Sequence, residues 1–526
     1  MILALVSVVV PVLVVRLPTL WDFPNHLVRY WILLGNAEGT PVASMYRPDW
    51  SLARTNIGSD LLAVGLGRIL PFEMLTPVLV GLATLLPPLG AIVLNRTVFG
   101  GWHFWQVAIV TLAWNFLLVS GLLSFQIAVG VALLAAALDL RLRRLPVFGR
   151  WCVRLVLASG ILVIHVFGLL FYLTLVLAID IGPRLPAIRQ PKVRMLMFRR
   201  MVLAGLACCL PLVVLILVAA RLPGAHERAE GEHLFETTLH FWPLLSFDRL
   251  ATLLTPFGTY SLIVDLLTTA MILGLLIRSM WRRQMRMHVG LFTLGTLVLL
   301  ASQFMPNVAF GTALIDARFP VMGVLMVAAG VRPEVSVDHR KGGLILAITL
   351  ALVLARSGWH GYIWIERQGD LRSVEAATRT MPPGSAVMLA ESRPDNKTKW
   401  LAAPIGRYSL GRPIYWHVGT TIVMTRHSFV PTIFTAAGKQ PLEVLPPWKD
   451  LSVPEGALPS VDDLDDLRPA VLSEFPYLRD WRSRFDYVLL VNADMPSWRL
   501  EIEQVPGLSL VSDQGFARLY RIDRQP

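Results

Sequence analysis

The chain is short of charge and shorter still of cysteine. Charged residues make up 16% of its 526 positions, against about 25% in an ordinary soluble domain. Hydrophobic residues make up 55%, and the mean hydropathy is +0.58. A soluble fold of this length cannot hide so much apolar side chain, so most of it faces lipid. The three cysteines are Cys152, Cys208 and Cys209, and none follows. That excludes a metal knuckle or a disulfide framework from the rest of the chain. It does not assign a compartment, because a bacterial periplasmic domain can do without disulfides. Acidic residues are outnumbered 36 to 48 by Lys and Arg, for a net charge of +12. The excess sits in short runs between apolar segments: "RLRRLPVFGRWCVR" (141–154), "RLPAIRQPKVRMLMFRR" (184–200), "RSMWRRQMR" (278–286) and "HRK" (339–341). Short basic loops between spans stay in the cytoplasm, so these runs read as topology anchors and not as a nucleic-acid surface.

With those loops held inside, apolar spans fall at about 1–17, 74–95, 104–121, 123–140, 152–166, 167–183, 202–220, 258–278, 288–304, 319–331 and 343–358. The pair at 152–183 is the tightest, with about 32 residues where two full crossings want about 40. Gly160 and Gly168 and the basic flanks favour two crossings. The first run, Ile2 to Val15, is followed by "RLPTLWD", which lacks the small residues of a cleavage site, and reads as a retained helix. The expected fold is a polytopic α-helical membrane protein of about eleven transmembrane helices, amino terminus in the cytoplasm. Residues 1–358 form the transmembrane domain, with a long first external loop at 18–73 and further external loops at 221–257 and 305–318. Residues 359–526 lose the apolar runs. A helix at about 362–380, the break "MPPGS" and strand-like pieces such as "SAVMLAE" and "DYVLLVNAD" predict an external, periplasmic α/β domain.

The stretch "LWDFPNHLVRYWILL" (20–34) gathers ionisable residues where the chain leaves the first span. Pro24 suits the first turn of a helix, and Asp22, His26 and Arg29 then lie at i, i+4 and i+7 along one stripe. The stripe has two readings. In one, Asp22 is a helix cap and His26 and Arg29 are interfacial residues beside Trp21, Tyr30 and Trp31. In the other it is the polar wall of a site at the membrane surface. Asp60, in "RTNIGSD", reads either as a ligand for acceptor or metal or as the cap of the helix that follows. Arg318, in "DARFP", lies at a helix end, where it either snorkels to headgroups or receives an anion. The loop with Arg228, Glu232, His233, Glu236 and His240 has no recognised metal spacing and reads as a solvated face or a lid over an acceptor. His165 is an ionisable residue within an apolar run. Tyr415, Trp416 and His417 in "PIYWHVG" suit sugar stacking or a buried core. The acidic run "VDDLDDL" suits a solvated helix start, and nothing in the tail reads as catalytic.

An aspartate just beyond the first helix, running into a surface helix in a long first loop, resembles the GT-C glycosyltransferase superfamily. That superfamily includes protein O-mannosyltransferases, oligosaccharyltransferase catalytic subunits and the transferases that add aminoarabinose to lipid A. "DFPNHLVR", "WSLARTNIGSDL" and "DARFP" are more narrowly similar to bacterial GT-C-like membrane proteins. Here Asp22 is followed by Phe23, where relatives often carry a second acid, and no WWD-type acceptor motif is present. The resemblance implies an inverting transferase of the bacterial inner membrane. It would move a sugar from a polyprenyl-phosphate donor to an extracytoplasmic lipid, glycan or protein acceptor of the cell envelope. It also implies Asp22 as general base, with Asn25, His26, Arg29, Asn56, Asp60, Asp316 and Arg318 binding substrate and Asp316 orienting Arg318. A divalent metal is left open. The rival readings are a transporter or lipid flippase, a membrane-bound O-acyltransferase using His165 and Asn115, and a non-catalytic envelope-assembly protein. A transporter would carry polar residues within several spans, whereas these clusters lie in loops.

Overall fold

A computed structural model describes residues 1–219, 239–244, 246–309, 312–334, 339–466 and 468–523. The chain is mostly helical. Helices α1 (Ile2–Leu13), α2 (Phe23–Leu33) and α3 (Gly58–Leu66) precede the main bundle. The bundle contains α4 (Leu75–Phe99), α5 (Trp105–Ile109), α6 (Phe116–Val119), α7 (Leu123–Arg141), α8 (Val147–Ile164), α9 (Val166–Ile181) and α10 (Pro191–Ala219). It continues with α11 (Phe247–Ala251), α12 (Leu262–Trp281), α13 (Val289–Ala301), α14 (Ile315–Gly330) and α15 (His339–Ala377). Among the described residues seven helices, those built on α4, α7, α8, α9, α10, α12 and α15, are long and apolar enough to cross a membrane. Shorter apolar helices occupy 2–13, 105–119 and 289–304.

A helix lies in every expected span, with three differences in form. The 104–121 segment is not one helix, because Asn115 is extended (φ −138°, ψ 162°) and its side chain accepts from the N–H groups of Leu117 and Leu118, starting α6 afresh. The 152–183 run is a hairpin broken at His165, which is extended at φ −170° and caps α9 by accepting from the Phe167 N–H. His165 therefore sits at a turn and not at mid-span. Lastly, the helices expected at 343–358 and 362–380 are one continuous 39-residue helix, α15. The change in composition near residue 359 alters what surrounds the helix, not the helix itself.

Close packing in the bundle depends on small residues. Where α4 crosses α7, a Cβ on Gly90 would meet the Gly130 carbonyl oxygen at 2.7 Å, and one on Gly130 would meet the Leu86 backbone at 2.5 Å. Past α15, a four-stranded sheet takes the order 508–513, 517–522, 487–491, 387–391. Its last pair is parallel, with Tyr487 opposite Val387 and Val491 opposite Glu391, and the others are antiparallel. Every residue of the 387–391 strand is buried, as expected of a strand covered on both faces.

The first loop and the C-terminal third are interleaved. Residues Tyr46–Pro48 pair antiparallel with Leu442–Val444. The Tyr46 hydroxyl donates to the Val430 carbonyl at 2.7 Å. The Asn25 amide donates to the Thr432 carbonyl at 2.6 Å and its oxygen accepts from the Phe434 N–H at 2.9 Å. One polar layer, built from both ends of the chain, thus sits on the bundle.

Candidate active site under the C-terminal layer

Asp22 ends the segment that leaves α1. Backbone bonds from the Trp21 and Asp22 N–H groups to the carbonyls of Val119 and Ser120, at 2.9 and 3.2 Å, dock this segment on the turn after α6. The turn needs Gly121: its φ is +81°, and a Cβ there would lie 2.8 Å from the Asp22 and Phe23 nitrogens. Asp22 occupies the cap position of α2, yet its carboxylate makes no capping bond. It faces His417 instead, with Oδ1 3.5 Å from Nε2. Burial, opposed by the Arg29 and Arg318 charges and reinforced by Glu455, pushes the Asp22 carboxyl up to about 8.

The tautomer of His417 follows from its neighbours. Asn25 receives a hydrogen bond from the Phe434 N–H and gives one to the Thr432 carbonyl, so its orientation is fixed and its NH2 group faces His417 Nδ1 at 3.4 Å. Nδ1 must accept, which leaves the proton on Nε2, pointing at Asp22. Burial lowers the imidazole to about 3, so it stays neutral at ordinary pH. Phe434 lies edge-on to His417 with ring centroids 4.9 Å apart, and Trp416 packs against Trp21 at 5.4 Å.

Arg318 stands on α14, close enough for its charge and that of Asp22 to act on each other. Its Nη2 donates to the Ala313 carbonyl at 3.2 Å. Nε and Nη1 are buried without a partner among the described residues. The guanidinium lies 4.6 Å from the Phe167 ring centroid and 5.8 Å from that of Phe125. His165 packs edge-on to Phe125 at 5.6 Å, so the α8–α9 turn forms part of the same wall. Arg318 is therefore buried in the protein and does not snorkel to headgroups.

The other expected site residues divide. Arg29 and Asp60 form a buried pair, Nε to Oδ1 at 2.6 Å and Nη2 to Oδ2 at 3.2 Å. Asp60 is thus tied to Arg29 and does not cap α3. His26 is half-buried against Tyr30 and Phe434, and desolvation there lowers its imidazole well below the ordinary value. Asn56 adopts a left-handed turn at φ 65° before α3. Asp316 accepts from the Ala317 N–H at 2.9 Å. It makes no ion pair with Arg318 among the described residues, so the expected orienting contact is not formed. His240 bonds Asn307 at 2.6 Å and ties two loops together. Arg228, Glu232, His233 and Glu236 lie outside the described residues. No group of three metal-ligating side chains occurs among the described residues.

Beside Trp21 opens a cavity of about 740 Å³, walled by Trp416, Tyr415, Glu391, Arg393 and Arg412. Glu391 is buried at the end of its strand, accepting from the Trp416 indole at 2.7 Å, the Tyr415 hydroxyl at 3.0 Å and Arg393 Nε at 2.8 Å. Glu391 was not singled out in the sequence, and His417 was read there only as a sugar-stacking or core residue beside Tyr415 and Trp416, not as a partner of Asp22. The only signals for them were an acid closing an all-apolar strand and a histidine among aromatics.

Together these features describe a mostly helical protein with several helices long and apolar enough to cross a membrane. The structure is similar to the crystal structure of ArnT from Cupriavidus metallidurans in the apo state. The TM-score is 0.51 over 98% of this chain and 96% of that one, at 11% identity. At that identity the likeness is one of fold. No family model and no curated protein matches the chain.

Proposed function

We propose that the protein is an inverting glycosyltransferase that moves a sugar from a polyprenyl-phosphate donor to a hydroxyl of an extracytoplasmic acceptor, with Asp22 as general base. One observation carries the reading: a half-buried carboxylate that makes no capping bond shares a site with a buried guanidinium that has two nitrogens unpartnered among the described residues. The carboxylate meets only the His417 imidazole, at 3.5 Å, while the guanidinium keeps two buried donors free among the described residues, and a buried polar group without a partner calls for a ligand or another physical cause.

The chemistry follows from the two charges. Asp22 accepts the acceptor's hydroxyl proton as the oxygen attacks the anomeric carbon. The bond from that carbon to the donor phosphate oxygen breaks on the opposite face, inverting the centre and leaving a polyprenyl phosphate with one more negative charge. The free Arg318 donors receive that charge. Neutral His417, held by Asn25, presents an N–H to Asp22 and limits the directions the carboxylate takes. The cavity beside Trp21 suits the acceptor, because aromatic faces with carboxylate and guanidinium partners match a polyhydroxylated ring. In this reading about eleven helices cross the bacterial inner membrane, and the interleaved layer lies on the periplasmic side.

Native mass spectrometry of gently extracted protein, with polyprenyl phosphate added, tests the donor class. A bound polyprenyl phosphate, with or without a sugar, is expected, and is expected to weaken in Arg318→Ala. Retention of ordinary phospholipids alone would overturn the reading and put transport or assembly in its place.

A further inference from the structure

The far end of the α8–α9 hairpin holds a second cluster of charge, remote from Asp22. Asp139 on α7 is fully buried and receives two hydrogen bonds from Arg154, at 2.9 and 2.8 Å, and two from Arg150, through Nε at 2.9 Å and through Nη2. Asp180 at the end of α9 pairs with Arg154 at 2.8 Å, Arg150 at 3.2 Å and Arg200 at 3.5 Å. Beside these pairs lies a pocket of about 210 Å³ between α8 and α10, lined also by Arg143 and Arg199. Those two arginines form no ion pair among the described residues. Counting both carboxylates against the five lining arginines leaves 5 − 2 = 3 positive charges without a counter-ion.

The rest of the lining is apolar: Leu145, Val147, Trp151, Leu196 and Leu203. On either side, Val147 and Phe148 of α8 and Met195 and Phe198 of α10 are more than 60% exposed. Lipid is the environment such surfaces fit in a membrane protein. The 18 residues of α8 span about 27 Å, close to the thickness of a hydrocarbon core. The pocket therefore lies near the membrane surface opposite to the Asp22 site, with a cationic floor and apolar walls.

We infer that this pocket is a binding site for an anionic phospholipid, its phosphodiester on Arg143, Arg199 and Arg200 and its acyl chains along the outer faces of α8 and α10. Basic pockets between helices at a membrane surface are suited to such headgroups. A free hydrated anion would satisfy the arginines but leave the apolar walls uncovered. The inference is independent of the transferase reading, because none of these residues approaches Asp22.

The test uses the full chain, delipidated in neutral detergent and titrated by native mass spectrometry with dioleoylphosphatidylglycerol, dioleoylphosphatidylcholine or inorganic phosphate. One phosphatidylglycerol is expected to bind at least about ten-fold more tightly than phosphatidylcholine and to raise the melting temperature. Arg143→Gln/Arg199→Gln leaves the paired arginines in place and is expected to weaken phosphatidylglycerol by about thirty-fold. Arg318→Gln is expected to leave that preference unchanged, which separates this pocket from the donor site. Equal affinity for the two lipids in the unmutated protein would overturn the inference, whether or not the double variant folds. So would stabilisation by inorganic phosphate equal to that by phosphatidylglycerol, or an unchanged preference in a folded double variant.

Discussion

Arg29 and Arg318 are both buried, both act on the charge of Asp22, and have opposite fates. Arg29 is matched by Asp60 in a two-bond pair and leaves only Nη1 without a partner, whereas Arg318 has no carboxylate partner, one backbone carbonyl and two idle nitrogens among the described residues. A buried pair of the first kind fixes geometry: it holds α3 against α2 and so sets the stripe on which Asp22 begins. A half-satisfied guanidinium of the second kind is costly in the empty protein. It becomes favourable when an anion arrives. Within one site, then, the presence of a carboxylate partner separates Arg29 from Arg318.

That contrast breaks most visibly at Asp22. Asp22→Asn keeps the shape and removes the proposed base, and a loss of about 10³-fold in turnover is expected with donor binding retained. Radiolabelled sugar transfer in nanodiscs measures it, and a residual activity within ten-fold of the parent would refute the assignment. Next come the two arginine partnerships. Asp60→Ala leaves Arg29 buried without its counter-ion and is expected to destabilise the fold by about 3–5 kcal/mol, read by thermal or denaturant melts. Arg318→Ala is expected to lower turnover by about 10²–10³-fold while its melting temperature stays near that of the parent. If Arg318→Ala unfolds the protein and Asp60→Ala does not, the contrast between Arg29 and Arg318 is reversed.

The pH responses are smaller and sharpen the same point. Because the Asp22 carboxyl is raised to about 8, kcat/KM is expected to climb with pH and to level off near that value, and the climb should vanish in Asp22→Asn. Stability carries the opposite sign. Below about pH 4 the group is protonated folded or unfolded. Between about 4 and 8 the unfolded chain ionises while the folded site holds its proton, so folding weakens as pH rises. Asp22→Asn escapes this and is expected to melt higher than the parent by about 2 °C or more at pH 8, the gap closing towards pH 4.

Much of the bundle was legible because apolar length and basic flanks are local properties. A helix lies in each expected span, and even the cramped 152–183 run resolved into two helices. What escaped were features set by partners distant in sequence. Asp60 carries the look of a helix cap, and only the fold brings Arg29 to it. His417 reads as a sugar-stacking or core residue, and only the fold lays it over Asp22. The continuity of α15 was hidden because composition reports the surroundings of a helix, and the surroundings change near residue 359. Asp22 itself was legible as a candidate. That its carboxylate is free of capping duty was not, since the cap position and the capping bond are separate facts.

The interleaved layer has a consequence for how the protein is made. Asp22 and His417 face each other across 395 residues of chain, and the Asn25 contacts with Thr432 and Phe434 bridge a still longer stretch. At about 5–20 residues per second of synthesis, the first half of the site waits on the order of 20–80 seconds for its second half. During that interval the nascent chain holds membrane helices and an acidic turn but no closed chamber. Asp22 therefore meets His417 only after most of the chain has been made.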